Sequence, residues 1–176
     1  MFAPIELSLE QAPTDIDDPV TRALYDHWLE RANGRWVPAW TDMDIMVLDA
    51  KLLPYITVVD LTPDGEFTYQ YWGRGHTAYY GVDYTRRRLS KVRPAWIRDF
   101  LFHQYMRVGE TKKPLLFDTR YEHIEQANYS LHLPLSNDGE QLTGILGLAN
   151  RRDVTSPMRH WVDKQRLTKI LNFRTI

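Results

Sequence analysis

Six histidines occur in the sequence, and one of them lies on the flank of the apolar stripe of a predicted helix, beside two aromatic residues. His103 follows Trp96 and Phe100 at spacings of four and three residues, so the three side chains share one flank of a predicted helix. Imidazole is a common metal ligand, although a lone histidine more often hydrogen-bonds to a neighbour. The other histidines form no metal-spaced pair such as H-E-x-x-H; they are His27, His76, His123, His132 and His160.

A glycine motif suggests a second kind of chemistry. Residues Gly73 to Ala78 read G-R-G-H-T-A, which fits the G-x-G-x-x-[GA] pattern of dinucleotide sites. That pattern binds pyrophosphate at a helix N-terminus inside a parallel βαβ unit. The strands predicted downstream are antiparallel, which favours glycines at a strand exit over a nucleotide site.

Charged residues form two further groups of interest. Asp42 and Asp44 could be paired carboxylates, but their position before a short predicted helix favours capping. A basic run, Arg86-Arg87-Arg88, could bind phosphate or nucleic acid. The formal net charge of −1 favours a solvated loop instead, because no global positive field attracts nucleic acid.

The chain contains no cysteine. Disulfides, thiolate metal sites, cysteine nucleophiles and cysteinyl-flavin chemistry are therefore excluded. The sequence also lacks a G-x-S-x-G elbow and a P-loop. We therefore expect a binding protein and not an enzyme, with a small α+β enzyme as the remaining alternative.

Hydrophobic periodicity predicts the elements that must position these residues. A first helix follows Asp17 or Asp18 with Pro19 at its start, and Asn33-Gly34 ends it. Residues 56–61 and 66–72 flank a Thr-Pro-Asp-Gly turn and predict an antiparallel hairpin. A helix is predicted over 94–108, and three further strands lie within 115–149. The predicted fold class is α+β, a five-stranded antiparallel sheet with helices on one face.

An aromatic group could line a cavity between that sheet and the helices. Aromatic walls with a few hydroxyl groups suit a planar small molecule, and an ordinary packed core is the equal alternative. Together with the helix residues considered above, the ligand-pocket candidates are Tyr69, Tyr71, Trp96, Phe100, His103, Phe117, Tyr121 and Tyr129.

The order of elements and several local segments resemble the PAS domain, in particular a bacterial single-PAS-domain subfamily. The segments are Leu24 to Trp28, Gly34 to Pro38, Phe67 to Gly73, Tyr80 to Thr85 and Leu133 to Gly139. The resemblance implies a PAS-like sheet with N- and C-terminal helices, divided into an N-terminal helical cap (1–54), a PAS core (55–150) and a C-terminal helical tail (151–176). It also implies a sensory or regulatory role.

The same resemblance suggests haem as a possible cofactor, because haem-binding members carry an iron-ligating histidine on the helix that would contain His103. Two positions depart from the subfamily. Gln70 replaces a usual arginine in the second strand, and Arg86 replaces a usual glycine. A ligand held by that arginine is therefore not expected here, and the resemblance implies no particular ligand.

Location and partners follow from composition. No apolar run approaches the roughly 20 residues that span a bilayer, and residues 1–10 do not resemble a signal peptide, so a cytoplasmic protein is expected. Residues 1–33 are mainly acidic and residues 151–174 mainly basic. These ends could attract each other within one chain or across a dimer, although two solvated terminal faces are favoured. A homodimer is the expected assembly. A downstream signalling protein and a small molecule are further expected partners.

Overall fold

In the computed structural model the described residues are 5–14, 16–121 and 128–150. They form one six-stranded antiparallel sheet with three α-helices and four short 3₁₀ helices. The strands are β1 (Ile5–Gln11), β2 (Ile56–Leu61), β3 (Phe67–Trp72), β4 (Leu115–Tyr121), β5 (Asn128–Leu135) and β6 (Gly144–Asn150). The α-helices are α1 (Pro19–Ala32), α2 (Arg74–Tyr80) and α3 (Ala95–Thr111).

The strands are arranged in the order β1-β4-β5-β6-β2-β3. All five predicted strands are present and antiparallel, and a helical segment separates β3 from β4. The predicted α+β class with an antiparallel sheet is therefore confirmed. Strand β1 was not predicted, although Ile5, Leu7 and Leu9 alternate with polar residues in the manner of a strand. It pairs with the outer edge of β4 and thereby shields that edge.

Each face of the sheet is buried under its own helices. Adjacent residues of β2 show this directly, since Val58 belongs to the apolar cluster that contains α1 and Val59 to the cluster that contains α3. Helices α2 and α3 share one face, as predicted. The N-terminal helix α1 covers the opposite face, where the indole Nε1 of Trp28 donates to the backbone oxygen of Pro134 at 2.9 Å.

The predicted ends of α1 are confirmed. Asp18 accepts a hydrogen bond from the backbone of Thr21 at 2.8 Å, Pro19 is the first helical residue, and Asn33 ends the helix with φ of 46°. Leu24 and Trp28 are buried on its inner side. Leu29 of the same helix is 46% exposed.

Helix α3 is longer than predicted. It continues through Gly109 to Thr111, and Lys112 adopts the left-handed conformation that ends it, with φ of 53°. An ion pair joins α3 to β1, since Arg107 Nε lies 2.7 Å from Glu10 Oε2. Both side chains are about a third exposed, so we expect the pair to contribute only ~0.2–1 kcal/mol.

The predicted C-terminal helix of 151–176 lies outside the described residues. The division of the chain at residues 54 and 150 remains a prediction, and the part called a helical cap includes β1 as well as α1. Within the described ranges, no helix has both the length and the apolarity required to cross a membrane.

Candidate functional site

One cross-strand row runs beneath α3 and forms the floor of the candidate site. Trp72 of β3 lies opposite Thr57 of β2, Thr57 opposite Gly147 of β6, and Gly147 opposite His132 of β5. Gly147 therefore leaves a gap between two polar side chains. A Cβ atom at this position would lie 2.6 Å from Thr57 Oγ1 and 3.4 Å from His132 Nδ1. The row requires glycine here, and the missing side chain creates a recess in the sheet.

A cavity of about 50 Å³, measured as space open to the centres of water molecules, lies between this recess and α3. A buried water needs ~10–15 Å³ by this measure, so the cavity has room for about three to five water molecules. Aromatic and small polar side chains form most of its wall. The lining residues are Thr57, Tyr69, Trp72, His76, Tyr80, Trp96, Ile97, Phe100, Leu101, Gln104, Tyr105, Thr119, Ser130, His132, Gly147, Leu148 and Ala149.

His132 and Gln104 join the sheet to α3 across this cavity. His132 Nε2 lies 3.1 Å from Gln104 Oε1, and both residues are almost completely buried. Burial lowers the pKa of His132 to about 3, because the interior does not solvate an imidazolium ion. The imidazole is therefore neutral at physiological pH, with one nitrogen that donates and one that accepts a hydrogen bond.

Two tyrosine hydroxyl groups form a second polar feature of the wall. Tyr69 and Tyr105 have their hydroxyl oxygens 3.3 Å apart, and Thr57 shares a hydrogen bond with Tyr105. Burial raises the pKa of Tyr105 to about 12, and burial raises the pKa of Tyr69 well above its ordinary value. Both phenols are neutral at physiological pH. The two hydroxyl groups therefore act as uncharged hydrogen-bonding groups in the cavity wall.

Trp72 is the centre of the aromatic wall. Its ring packs edge-on against Tyr69 and Tyr84, with centroids 4.7 and 5.1 Å away, and lies 5.0 Å from the ring of His76. His76 is itself fixed by a 2.9 Å hydrogen bond between its Nε2 and the backbone oxygen of Tyr55. These contacts hold the indole rigidly at one end of the cavity.

The structure brings three of the residues predicted from the sequence into the cavity wall: Tyr69, Trp96 and Phe100. Phe117 is buried on the same face and packs against the ring of His132 at 5.5 Å, beside the cavity and outside its lining. The side chain of Tyr121 lies outside the described part of the structure.

Two predicted residues face away from the cavity. Tyr71 packs in the α1 cluster, with its hydroxyl donating to the backbone oxygen of Leu53 at 3.2 Å. A β-bulge explains the difference: Val59 pairs with Tyr69 and Val58 with Tyr71, so Gln70 is an extra residue that reverses the alternation. Tyr129 lies on the α1 side of β5 and is 44% exposed, because the odd-numbered residues of β5 face that side.

His103 does not reach the cavity either. It is exposed on α3, while the neighbouring Gln104 and Tyr105 point inward. The prediction of His103 as a pocket residue and haem ligand is not supported for this cavity, because His103 lies outside the buried stripe of α3, which contains Ile97, Gln104, Tyr105 and Val108. Haem does not fit the site in this structure, because a cavity that accommodates benzene already measures about 150 Å³.

Sequence reasoning missed the residues that form the floor and the polar groups, which are Thr57, Trp72, Gln104, Tyr105, His132 and Gly147. Gly144 and Gly147 are the two glycines of β6. They permit close approach of the neighbouring strand, since a Cβ at Gly144 would lie 2.7 Å from the backbone oxygen of Val59. The buried His132, between Leu131 and Leu133, was the available signal for the site.

The glycine motif has a packing role. A Cβ at Gly75 would lie 2.7 Å from both the backbone oxygen of Pro54 and the ring of Tyr55, and Gly73 approaches the same backbone. The surrounding strands are antiparallel, so a dinucleotide site is not supported.

Asp42 and Asp44 cap short helical turns, as predicted. The side chain of Asp42 accepts a hydrogen bond from the backbone N–H of Ala39, and that of Asp44 accepts one from the backbone N–H of Met46.

The basic run lies along the free edge of β3. Arg86 donates its backbone N–H to Tyr69, and Tyr69 donates to Arg87, so the run extends the edge of the sheet. Arg88 pairs with Asp64 at 2.7 Å and Glu66 at 2.9 Å, so the positive charge of Arg88 is neutralised.

The described residues contain no group of three or more His, Cys, Asp or Glu side chains that could hold a metal ion.

Comparisons with known proteins leave the family of the chain open. No family model matches the sequence, and no curated protein matches it. A solved structure described as "Structure of an RNA-binding Light-Oxygen-Voltage Receptor" aligns with a TM-score of 0.45 and 18% identity over 97% of this chain. The alignment covers 44% of that protein, so this chain spans less than half of its length. At this similarity the alignment assigns neither a family nor an activity to the chain.

Proposed function

We propose that the chain is a PAS-type sensory or regulatory domain that binds a small molecule in the cavity between α3 and the sheet and signals through protein contacts. The observation that carries the proposal is the set of buried nitrogen atoms in the cavity wall without a hydrogen-bond partner among the described residues: Trp72 Nε1, Gln104 Nε2 and His132 Nδ1. More than 90% of buried polar groups in native proteins have a partner. A bound molecule would supply the missing ones.

The polar groups of the cavity suit binding better than catalysis. General acids and bases work best with a pKa near the operating pH. His132, with a pKa of about 3, and Tyr105, with a pKa of about 12, are both far from neutrality. None of the described lining residues is an aspartate, glutamate, lysine or arginine. We therefore propose recognition of a ligand without chemical conversion.

A continuous path from the cavity to α1 supports a signalling role. Strand β5 carries His132 in the cavity wall, and two residues later Pro134 accepts the hydrogen bond from Trp28 of α1. A ligand that alters the packing of His132 would thus act on the strand that holds α1. We propose that α1 passes this change to a protein partner, with a homodimer as the working assembly.

Native mass spectrometry of the purified chain tests the proposed function. We expect a small molecule that stays bound under native conditions and is released on denaturation. Ala149→Leu, which adds a branched side chain to the cavity wall, should abolish its retention. Ala23→Leu makes the same change on the exposed side of α1 and should leave retention unchanged.

Two outcomes would contradict the proposal. Equal retention by wild type and Ala149→Leu would place the molecule elsewhere. A cavity that holds only ordered water in an experimental structure, in a chain that binds no small molecule from cell extract, would show that water completes these hydrogen bonds.

A further inference from the structure

The chemistry of the cavity wall restricts the molecule that it can hold, and this inference rests on the proposed function. Trp72 contributes an indole N–H, which is a donor only. The hydrogen bond between Gln104 and His132 leaves one polar atom of each residue without a partner among the described residues, namely Gln104 Nε2 and His132 Nδ1.

The protonation state of His132 gives the roles of these two atoms. The amide oxygen of Gln104 can only accept, so the neutral His132 carries its proton on Nε2 and its Nδ1 is an acceptor. The amide N–H of Gln104 is then a donor. If the Gln104 amide is rotated by 180°, His132 Nδ1 becomes the donor and the amide oxygen the acceptor. In both arrangements the pair offers one donor and one acceptor.

The absence of charge from the described lining residues determines the charge of the ligand. A buried ion without a counter-ion has a large desolvation penalty, whereas a buried neutral group loses little when its hydrogen bonds are formed. None of the described lining residues is an aspartate, glutamate, lysine or arginine that could act as a counter-ion, and burial lowers the pKa of His132 and raises the pKa of Tyr69 and Tyr105, so these three groups are neutral. A neutral molecule is therefore favoured.

Shape and size add a further restriction. The rings of Trp72, Tyr80, Trp96 and Phe100 give flat apolar walls. Because the cavity measures about 50 Å³, even a single ring requires an outward shift of the half-buried side chains that α3 contributes, Trp96, Phe100 and Leu101. Such a shift would link occupancy to the position of α3.

We infer that the ligand is a compact, neutral, planar molecule with a hydrogen-bond donor and an acceptor on neighbouring atoms, as in a lactam or a primary carboxamide. Its carbonyl oxygen accepts from the N–H groups of Trp72 and Gln104, and its N–H donates to His132. Trp72 Nε1, Gln104 Nε2 and His132 Nδ1 then each have a partner.

Three ring probes of equal size test this inference by titration calorimetry on the full chain: 2-pyridone, toluene and N-methylpyridinium. The first is a neutral lactam, the second has no hydrogen-bonding group and the third carries a positive charge. We expect 2-pyridone to bind at least about tenfold more tightly than toluene, since a polar group left unpaired costs ~1–3 kcal/mol. N-Methylpyridinium should show no binding.

Matched tryptophan variants assign the contact. Trp72→Phe keeps an aromatic ring but loses the donor, and should weaken 2-pyridone about tenfold without affecting toluene. Trp36→Phe removes an indole N–H outside the cavity wall, which donates to the backbone oxygen of Lys112 at 3.0 Å, and should leave both affinities unchanged. Thermal unfolding checks that each variant is folded. If Trp72→Phe is unfolded, Gln104→Met provides the same test with a side chain of similar length.

Every outcome bears on one of the two proposals. Equal or tighter binding of toluene overturns the lactam inference but leaves a small-molecule site intact. Tight binding of N-methylpyridinium overturns the neutrality of the ligand. Binding of none of the probes, with no retained molecule in native mass spectrometry, overturns the proposed function and the inference together.

Discussion

At the scale of single residues, the site depends on Gly147, which has no side chain, and on His132, which is buried in its neutral form. Gly147 leaves the recess between Thr57 and His132, and His132 holds α3 through Gln104. Neither position resembles a catalytic motif, because each derives its role from burial and from residues at least 15 positions away in the sequence. Two predictions concern these residues.

Gly147→Ala should destabilise the fold and close the recess. The new Cβ would lie 2.6 Å from Thr57 Oγ1, and Thr57 is held by its hydrogen bond to Tyr105. We expect a loss of ~1–3 kcal/mol in the free energy of unfolding, measured by urea denaturation. Gly109→Ala is the control, since its nearest neighbour would be Leu142 Cδ2 at 3.6 Å. In helix α3 that change should stabilise by ~0.5–1 kcal/mol. Equal effects of the two substitutions would contradict the described row.

The buried His132 should make stability depend on pH. Its pKa is about 3 in the folded chain and near 6.5 when the residue is solvated. Between these values the unfolded chain binds one more proton, so the free energy of unfolding decreases as the pH falls through this window. The decrease approaches ~1.4 kcal/mol per pH unit, and above pH 6.5 the contribution is fully retained.

Urea denaturation between about pH 7 and pH 5 measures this dependence, in a range where the carboxylates remain ionised. His132→Asn places an amide near the positions of the imidazole nitrogens and removes the titrating group. The variant should therefore show a shallower dependence on pH than wild type. Parallel curves for the two proteins would show that His132 is not buried in its neutral form.

At the scale of elements, the β-bulge in β3 places Trp72 in the site. Tyr69 and Trp72 both face the cavity although they are three residues apart, because Gln70 is accommodated as an extra residue. A regular strand would instead have directed Tyr71 to the cavity, as alternation alone predicts. Whether a bulge forms depends on the pairing of β3 with β2, which local sequence does not specify.

Deletion of Gln70 should be tolerated better than deletion of another residue from β3. Without Gln70 the strand alternates regularly, and Tyr69, Tyr71 and Trp72 keep their faces. Deletion of Thr68 should turn the buried Phe67 towards the opposite face and cost ~3–5 kcal/mol. Urea midpoints and the fluorescence of the buried tryptophans compare the two deletions. A Gln70 deletion that is as destabilising as the Thr68 deletion would contradict the bulge.

At the scale of the whole molecule, the sheet separates two cores, and α1 belongs to one of them. Leu24 and Trp28 are buried against β5 and β6, so removal of residues 1–33 would take away core side chains and edge strand β1 together. A truncation cannot then test dimerisation separately from folding. A substitution on the exposed side of α1 is the appropriate test.

We expect the chain to form a homodimer through the exposed side of α1 and Leu29→Glu to convert it to a monomer. Leu29 is 46% exposed, and a charge at an apolar contact opposes association. Light scattering should give twice the 20.8 kDa chain mass for wild type. Phe102→Glu makes a comparable change on the exposed side of α3 and should leave the dimer intact. A monomeric wild type, or dissociation by Phe102→Glu instead, would contradict this contact.

The elements themselves were specified by local patterns. The caps of α1, the turn after β2 and the alternation of the last three strands rest on residues within a few positions of one another, and the structure contains them as predicted. The lack of cysteine also excluded several chemistries directly. The strand pattern of β1 was equally local and could have been recognised.

The tertiary structure alone determined which face of each strand meets which helix. Strand β4 carries bulky apolar residues on both faces, as Leu115 and Leu116 show, so alternation separates the two faces but does not assign them to α1 or α3. The cavity follows from the register that aligns Trp72, Thr57, Gly147 and His132 across four strands. Such a register is set by pairing between distant segments and by burial on both sides, and these are properties of the assembled fold.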